Sequence, residues 1–228
     1  ESLGEHEEMS HGFFVYESAV HVPLIFVTPF ARLRGVVSPA VVSLTDVLPT
    51  VCEMSGLMPP TQIQGRSLVP FFFKPDRPSD RLAYSETFYP RFHYGWSELQ
   101  SFRDDRYKII LSPEPELYDL SLDPGETTNI IEKQRSVFLA LNDRAADFIK
   151  AAPQDSYKLD FSKVDEETQA KLAALGYIGS FSNPEKLKGK RLASPRNKIG
   201  IFNELSRARE IGLEGDAQEA IGIFRRII

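Results

Sequence analysis

The stretch 82–120 constrains the fold most. It holds four short runs of strand-like composition, 82–87, 98–103, 107–111 and 116–120. The last three are separated only by tight turn segments rich in Asp, Ser and Pro, so neighbouring antiparallel strands are the economical arrangement, and a small meander is expected. Asp123, Pro124 and Gly125 form an exit turn, after which Val137, Phe138, Leu141, Ala145 and Phe148 fall on one face of a helix. That face can cover the sheet, which gives an α+β subdomain over 79–152.

Upstream, 1–78 reads as part of a layered α/β unit. A polar stretch opens the chain: Glu1, Glu5, His6, Glu7, Glu8 and His11 lie within eleven residues. Glu1 is expected to be a cut end. A short helix is expected over 12–20 and a strand over 22–28, whose apolar run with Pro23 at its entrance suits a strand covered on both faces. Beyond a turn-rich connection at 32–39, Leu44, Val47, Leu48, Val51 and Met54 recur at helical spacing, with Ser43 as cap and Gly56 as stop. Pro49 is expected to kink this helix, since it lacks the N–H that would bond the carbonyl four residues back. A further short helix is expected over 67–73, then an exposed loop over 74–81.

Past residue 152 the packing signal thins. The segment 153–198 reads as a linker with one short helix, 165–175, interrupted by Gly176 and Gly179; its end, 183–198, is basic and contains Pro and Gly. Its Lys and Arg residues have no interleaved aromatics, which favours a solvated linker over a nucleic-acid patch. The segment 199–228 reads as two helices, 199–213 and 217–228. Ala208, Ile211, Ala220 and Phe224 fall at the packing positions of a tetratricopeptide repeat. Glu204 and Arg207 occupy two positions where that motif is apolar, so a plain helical hairpin is the alternative. A lone repeat cannot bury its own apolar face, so more repeats, and a protein partner for them, are expected beyond 228.

A net charge of -5 gives no reason to expect nucleic acid or an anionic membrane as partner. No run approaches the roughly 20 apolar residues of a membrane-spanning helix. Cys52 lies on an apolar helical pattern and reads as a buried structural thiol.

Clustered carboxylates and imidazoles are the ligands available to a divalent metal without cysteine, and a histidine near a metal-bound ester can hold an oxygen or protonate a leaving group. A Glu-rich loop can equally be solvated. A second candidate group is Arg91, His93, Tyr94 and Trp96, which crowd a loop between two strands. Aromatic faces there can stack on a sugar or aryl group while a cation reads an anionic substituent; packing between subdomains is the equal alternative. Arg103, Arg106 and Lys108 are expected to be solvated or paired.

The pieces GEH and HGFF, YESAVHVPLIF, VSLTDVLPT, IQGRSLVP, SETFYPR, RYKII and ELYDLSLDPGETTN together resemble, over roughly 1–150, the C-terminal part of a sulfatase of the alkaline phosphatase superfamily. GYIG at 176–179 and the tail are similar to bacterial members that carry tetratricopeptide repeats behind that domain. The resemblance implies a mixed sheet flanked by helices with a small antiparallel sheet packed on it. It implies one divalent ion, commonly calcium, beside a formylglycine whose hydrated aldehyde attacks a sulfate ester; relatives that transfer phosphate use zinc or manganese. The expected substrate is a sulfated small molecule or glycan, and the expected compartment periplasmic or extracellular. The nucleophile motif and the Asp-His-Gly metal segment would precede Glu1, so no metal ligand and no turnover are expected of this chain alone, and its carboxylates become mostly loop and solvent-facing. On this resemblance His11 is the catalytic candidate. It falls where phosphoethanolamine-transferase relatives place a substrate-contacting histidine, and near where many sulfatases place a sulfate-binding lysine, which leaves sulfate against phosphate open. His21 takes the place of a family Arg and reads as structural, with His6 weaker still. An interaction protein built on a dead sulfatase-like domain is the remaining alternative.

Overall fold

The computed structural model describes residues 2–9, 11–151 and 189–227. The helix expected over 165–175, the GYIG stretch and most of the expected linker lie outside the described residues. The expected meander is present. Strands β1 (Ala83–Thr87), β2 (Leu99–Arg103), β3 (Tyr107–Leu111) and β4 (Glu116–Asp119) form one antiparallel sheet in chain order. Phe102 lies opposite Ile109, and Ile109 opposite Leu117. These three face the helix Arg135–Ala151, whose Leu141 and Ala145 complete a buried core with them. That helix is the cover the sequence led us to expect.

The opposite face is covered as well. Register puts Leu99, Ser101 and Arg103 of β2, Lys108 and Ile110 of β3, and Glu116 and Tyr118 of β4 on that side. The extended, buried segment Phe13, Phe14, Val15 and Tyr16 packs onto it. Only four residues, α1 (Glu17–Val20), are helical where a helix was expected over 12–20, because the apolar run is consumed in covering the sheet.

The strand expected over 22–28 does not form. The segment is extended, but no strand among the described residues runs beside it to supply a ladder, and Ile25 and Val27 are 82% and 94% exposed. Consequently the only sheet among the described residues is the antiparallel one; a mixed sheet is not seen.

Ser43 caps as expected, but in a capping box with Asp46 at the head of a 3-10 turn, Leu44–Asp46, that leads into α2 (Val47–Met54). Pro49 therefore sits in the first turn of α2 rather than kinking its middle, where a missing N–H costs least. The Asp46 carboxylate, fully buried, accepts from Ser43 N, from Arg66 N at 2.8 Å and from both Arg81 terminal nitrogens at 2.7 Å. Thr50 Oγ1 accepts from Leu68 N at 2.8 Å, which fixes the entry to α3 (Val69–Phe73). Cys52 is buried, as expected.

The stretch expected to be a loop between β1 and β2 contains a helix, α4 (Tyr89–Tyr94), with Pro90 in its first turn. With α5 as the Arg135–Ala151 helix, the tail forms α6 (Ile199–Leu213) and α7 (Ala217–Ile227), a hairpin with Ala208 and Ala220 buried. The hairpin is not a free appendage. Residues 193–198, expected as solvated linker, dock on the sheet: Ser97 N donates to Ala193 O at 2.9 Å, Arg196 to Glu116 at 3.0 Å and Asn197 to Glu114 at 2.8 Å. A buried carboxylate draws in the basic segment. No helix among the described residues is long and apolar enough to cross a membrane.

Gly65 lies against the 3-10 turn, and a Cβ there would stand 1.9 Å from the Thr45 carbonyl oxygen and 2.4 Å from its carbon. Gly65→Ala should therefore cost about 1–3 kcal/mol in equilibrium unfolding, since backbone must yield. Gly200→Ala, on α6 with nothing within 4 Å, should be neutral or slightly stabilising.

Candidate functional site

The opening loop is built around Glu8. Its carboxylate is 1% exposed and accepts from Phe13 N at 2.7 Å and Phe14 N at 3.4 Å. Burial pushes this carboxyl above its ordinary range, and the two amide bonds oppose the shift. The loop 8–13 is thus closed at its base by one side chain. Gly12 takes φ 97, a conformation open to glycine, and its carbonyl accepts from Thr87 Oγ1 at 2.5 Å. Phe13 then inserts among Tyr89, Tyr94, Trp96 and Phe202, with ring centroids 5.7, 5.8, 5.7 and 4.5 Å away. His11 sits between these anchors and is exposed. The chain is anchored at Glu8 before it and at Gly12 and Phe13 after it.

The same loop is tied to the exit turn of the sheet. The His6 ring stacks on Tyr16 at 3.5 Å, and its Nε2 lies 3.1 Å from the Gly125 carbonyl, which makes Nε2 the protonated nitrogen. Burial lowers the pKa of His6. One residue on, Glu126 holds φ 53 and accepts from Glu17 N at 2.5 Å. Lys108, 1% exposed, lies 3.0 Å from Glu17 Oε1 and 2.9 Å from Glu126 Oε1, and Arg103 pairs with Glu17. Burial raises the Glu126 carboxyl, with Lys108 holding it down. Beside this network, Glu116 accepts from Tyr16 at 2.8 Å and from Tyr118.

Several expectations change. Of the opening carboxylates Glu5 and Glu7 are exposed, as expected, whereas Glu8 is buried and Glu17 half-buried, both engaged in the fold. Of the two states expected for Lys108, solvated or paired, the paired one is found, and the side chain is also buried. Among the described residues no group of three or more His, Cys, Asp or Glu side chains could hold a metal ion, and Glu8 spends Oε1 on the Phe13 and Phe14 amides and Oε2 on the Ser2 hydroxyl.

The second candidate group lies on and after α4. Arg91 Nη1 pairs with Glu98 at 2.6 Å, His93 packs on Tyr89 with centroids 4.2 Å apart, and Trp96 stacks on Tyr94 at 4.8 Å. Burial pushes the Tyr94 hydroxyl up to about 12 and lowers His93, with the Arg209 charge adding to the latter. Phe13 brings this group against the loop of His11. Its rings serve as packing between the loop, α4 and α6. Sequence reasoning named Glu8 and Lys108 without giving them these roles and passed over Glu17 and Glu126, although Glu17, Lys108 and Glu126 each lie in one of the motif pieces; a charged letter inside an apolar pattern was the available signal.

Comparison with known proteins places this geometry. The chain is 32% identical over 146 residues to Arylsulfatase K of Mus musculus, which covers 57% of this chain and 25% of that protein. It is 25% identical over 186 residues to the Delta 4,5-hexuronate-2-O-sulfatase of Bacteroides thetaiotaomicron, over 78% of this chain and 38% of that protein. Among solved structures, BT4656 in complex with its substrate D-glucosamine-2-N,6-O-disulfate is matched with a TM-score of 0.37 at 25% identity, over 49% of this chain and 25% of that one. The chain spans about a quarter of the length of the arylsulfatases it matches. Residues 4–149, from the loop of Glu8 to the end of the helix behind the sheet, match the family model of the N-sulphoglucosamine sulphohydrolase C-terminal region, and the chain belongs to that family, the C-terminal domain of the alkaline-phosphatase-like sulfatases.

Proposed function

We propose that this chain is the C-terminal part of a larger hydrolase of sulfate esters, with a sulfated glycan or related small molecule as substrate, and that His11 contacts the ester. The observation that carries the reading is the placement of His11. Its imidazole is exposed at the tip of a loop clamped by Glu8, Thr87 and Phe13. A donor held in that way can meet a non-bridging oxygen of the transferred group or the departing oxygen, where negative charge gathers in the transition state. The names of the two curated relatives, an arylsulfatase and a hexuronate sulfatase, support a sulfated substrate. A divalent ion, calcium in this reading, and a formylglycine nucleophile would be held by parts of the larger protein outside this chain, since the described residues offer no ligand cluster. The ion would draw charge from the ester oxygens.

In the same reading the extended segment 22–28 joins a mixed sheet completed by the rest of the protein. It lines a groove of about 1120 Å³ with Val36, Val41, Phe71 and Phe72, the kind of apolar surface a neighbouring layer covers. The test is turnover of matched aryl sulfate and aryl phosphate esters. The larger protein should prefer the sulfate, and the 228-residue chain alone should turn over neither. Preference for the phosphate would replace sulfate by phosphate hydrolysis or phosphoethanolamine-type transfer as the reaction. Turnover by the isolated chain would put the nucleophile within this chain and sink the assignment.

A further inference from the structure

Helix α6 touches both ends of the loop that carries His11. Asn203 Nδ2 donates to the Glu7 carbonyl at 2.8 Å, before the loop. The adjacent residue, Phe202, packs on Phe13, after it, with ring centroids 4.5 Å apart. Between these points the Glu8 carboxylate draws the loop closed on Phe13 N.

The approach to the loop is also strained. His6 and Glu7 hold φ 53 and φ 66, a left-handed conformation that residues with a Cβ adopt only when their surroundings enforce it. Two consecutive residues there need outside support. On one side it comes from the His6 ring, stacked on Tyr16; on the other it comes from the Asn203 amide on the Glu7 carbonyl. The helix that supplies this bond is itself seated on the sheet. Ile199 is 3% exposed in the same core as Phe13 and Tyr16, and Arg196 reaches the buried Glu116. A tail that merely displayed repeats to a partner would not need these contacts.

We infer that α6 is a working part of the site, with Phe202 and Asn203 as positioning residues that act through the His11 loop. The inference rests on the reading of His11 as the ester-contacting residue. Its physical content is that α6 fixes where the His11 imidazole stands, so that losing the clamp lowers the rate of the chemical step and leaves the sheet domain folded.

Two measurements test it. The first uses this chain and needs no activity. Amide hydrogen exchange in Asn203→Ala and Phe202→Ala should show protection of Phe13 and Phe14 falling about tenfold or more, while Ile109 and Ile110 in β3 keep theirs. Unchanged protection at Phe13 would overturn the clamp. The second is a double-mutant cycle on kcat in the larger protein, with an aryl sulfate. Asn203→Ala should lower kcat about tenfold where His11 is intact and have little further effect beside His11→Ala, with Asn203→Gln restoring part of the rate. An equal loss in both backgrounds would mark a structural role and overturn the proposal. If His11→Ala alone leaves kcat unchanged, the reading of His11 fails, and the exchange experiment still decides whether α6 holds the loop.

Discussion

Lys108→Met should lower the unfolding free energy of the chain by about 3–5 kcal/mol, measured by urea unfolding at pH 7. The side chain is 1% exposed and stands between two carboxylates, Glu17 at 3.0 Å and Glu126 at 2.9 Å. Methionine fills much the same volume, so the loss comes from charge rather than from a void. Without the ammonium, Glu17 keeps Arg103, but Glu126 is left buried with, among the described residues, the Glu17 amide as its donor. An unpaired buried carboxylate costs far more than an exposed pair gains. Against a total stability of about 5–15 kcal/mol for a domain, this is a large fraction.

The pH dependence has a definite sign. Burial already raises the Glu126 carboxyl above its ordinary value, and removing Lys108 removes the main influence holding it down. In the variant the folded state then binds a proton at pH values where the unfolded state does not, so its stability falls as pH rises through that window. The gap between wild type and variant should therefore narrow as pH is lowered from 7 towards 5. Adding Glu126→Gln to Lys108→Met should recover part of the loss at pH 7. If the double variant is no more stable than the single one, the charge account is wrong and packing by the lysine stem is the source.

Lys108 also shows where the sequence was legible and where it was not. The meander could be read because each strand and each turn is specified within a few residues: the apolar runs, the Ser-Pro and Asp-containing turns, and the exit at Asp123 to Gly125 all act locally. The helix behind the sheet was legible for the same reason, through the spacing of Leu141 and Ala145. What could not be read is which other segment covers the second face. Tyr107, Lys108 and Ile109 look like a strand with its polar residue turned to water, yet Phe13 to Tyr16 arrive from ninety residues away and close that face. The lysine is then buried with partners that no local pattern announces. The segment 22–28 failed in the opposite sense: its composition suits a strand, but a strand needs a neighbour, and none is supplied among the described residues. The stretch that forms α4 read as a loop between two strands because its aromatic and basic residues show no clear period, and Pro90, in the first turn, was the helix signal. Of the site, the loop and His11 were singled out from motif resemblance, whereas the clamp formed by Glu8, Phe13 and α6 depends on contacts nearly two hundred residues apart.

His11→Ala, measured in the larger protein with an aryl sulfate, should lower kcat by about 10²–10³-fold with little change in KM. That is the effect of removing one donor aimed at charge that develops only in the transition state. The alanine should leave stability almost unchanged, because the imidazole is exposed and the loop is held by its neighbours. His6→Ala should do the reverse. It removes the ring stacked on Tyr16 and the donor to the Gly125 carbonyl, at a cost of about 1–2 kcal/mol, and kcat should stay near its starting value well below the melting temperature. Burial lowers the His6 pKa below the ordinary histidine value of about 6.5, so below that pH the unfolded state binds the proton more readily than the folded one. The stability His6 contributes is therefore present above about 6.5 and is lost as pH falls towards its folded-state value, and the difference between wild type and His6→Ala should shrink below pH 6. Two histidines five positions apart in one loop are thus expected to separate, one acting on rate and the other on stability. A comparable loss of kcat from both would place the integrity of the loop, rather than the imidazole of His11, behind the rate, and would remove His11 from contact with the ester.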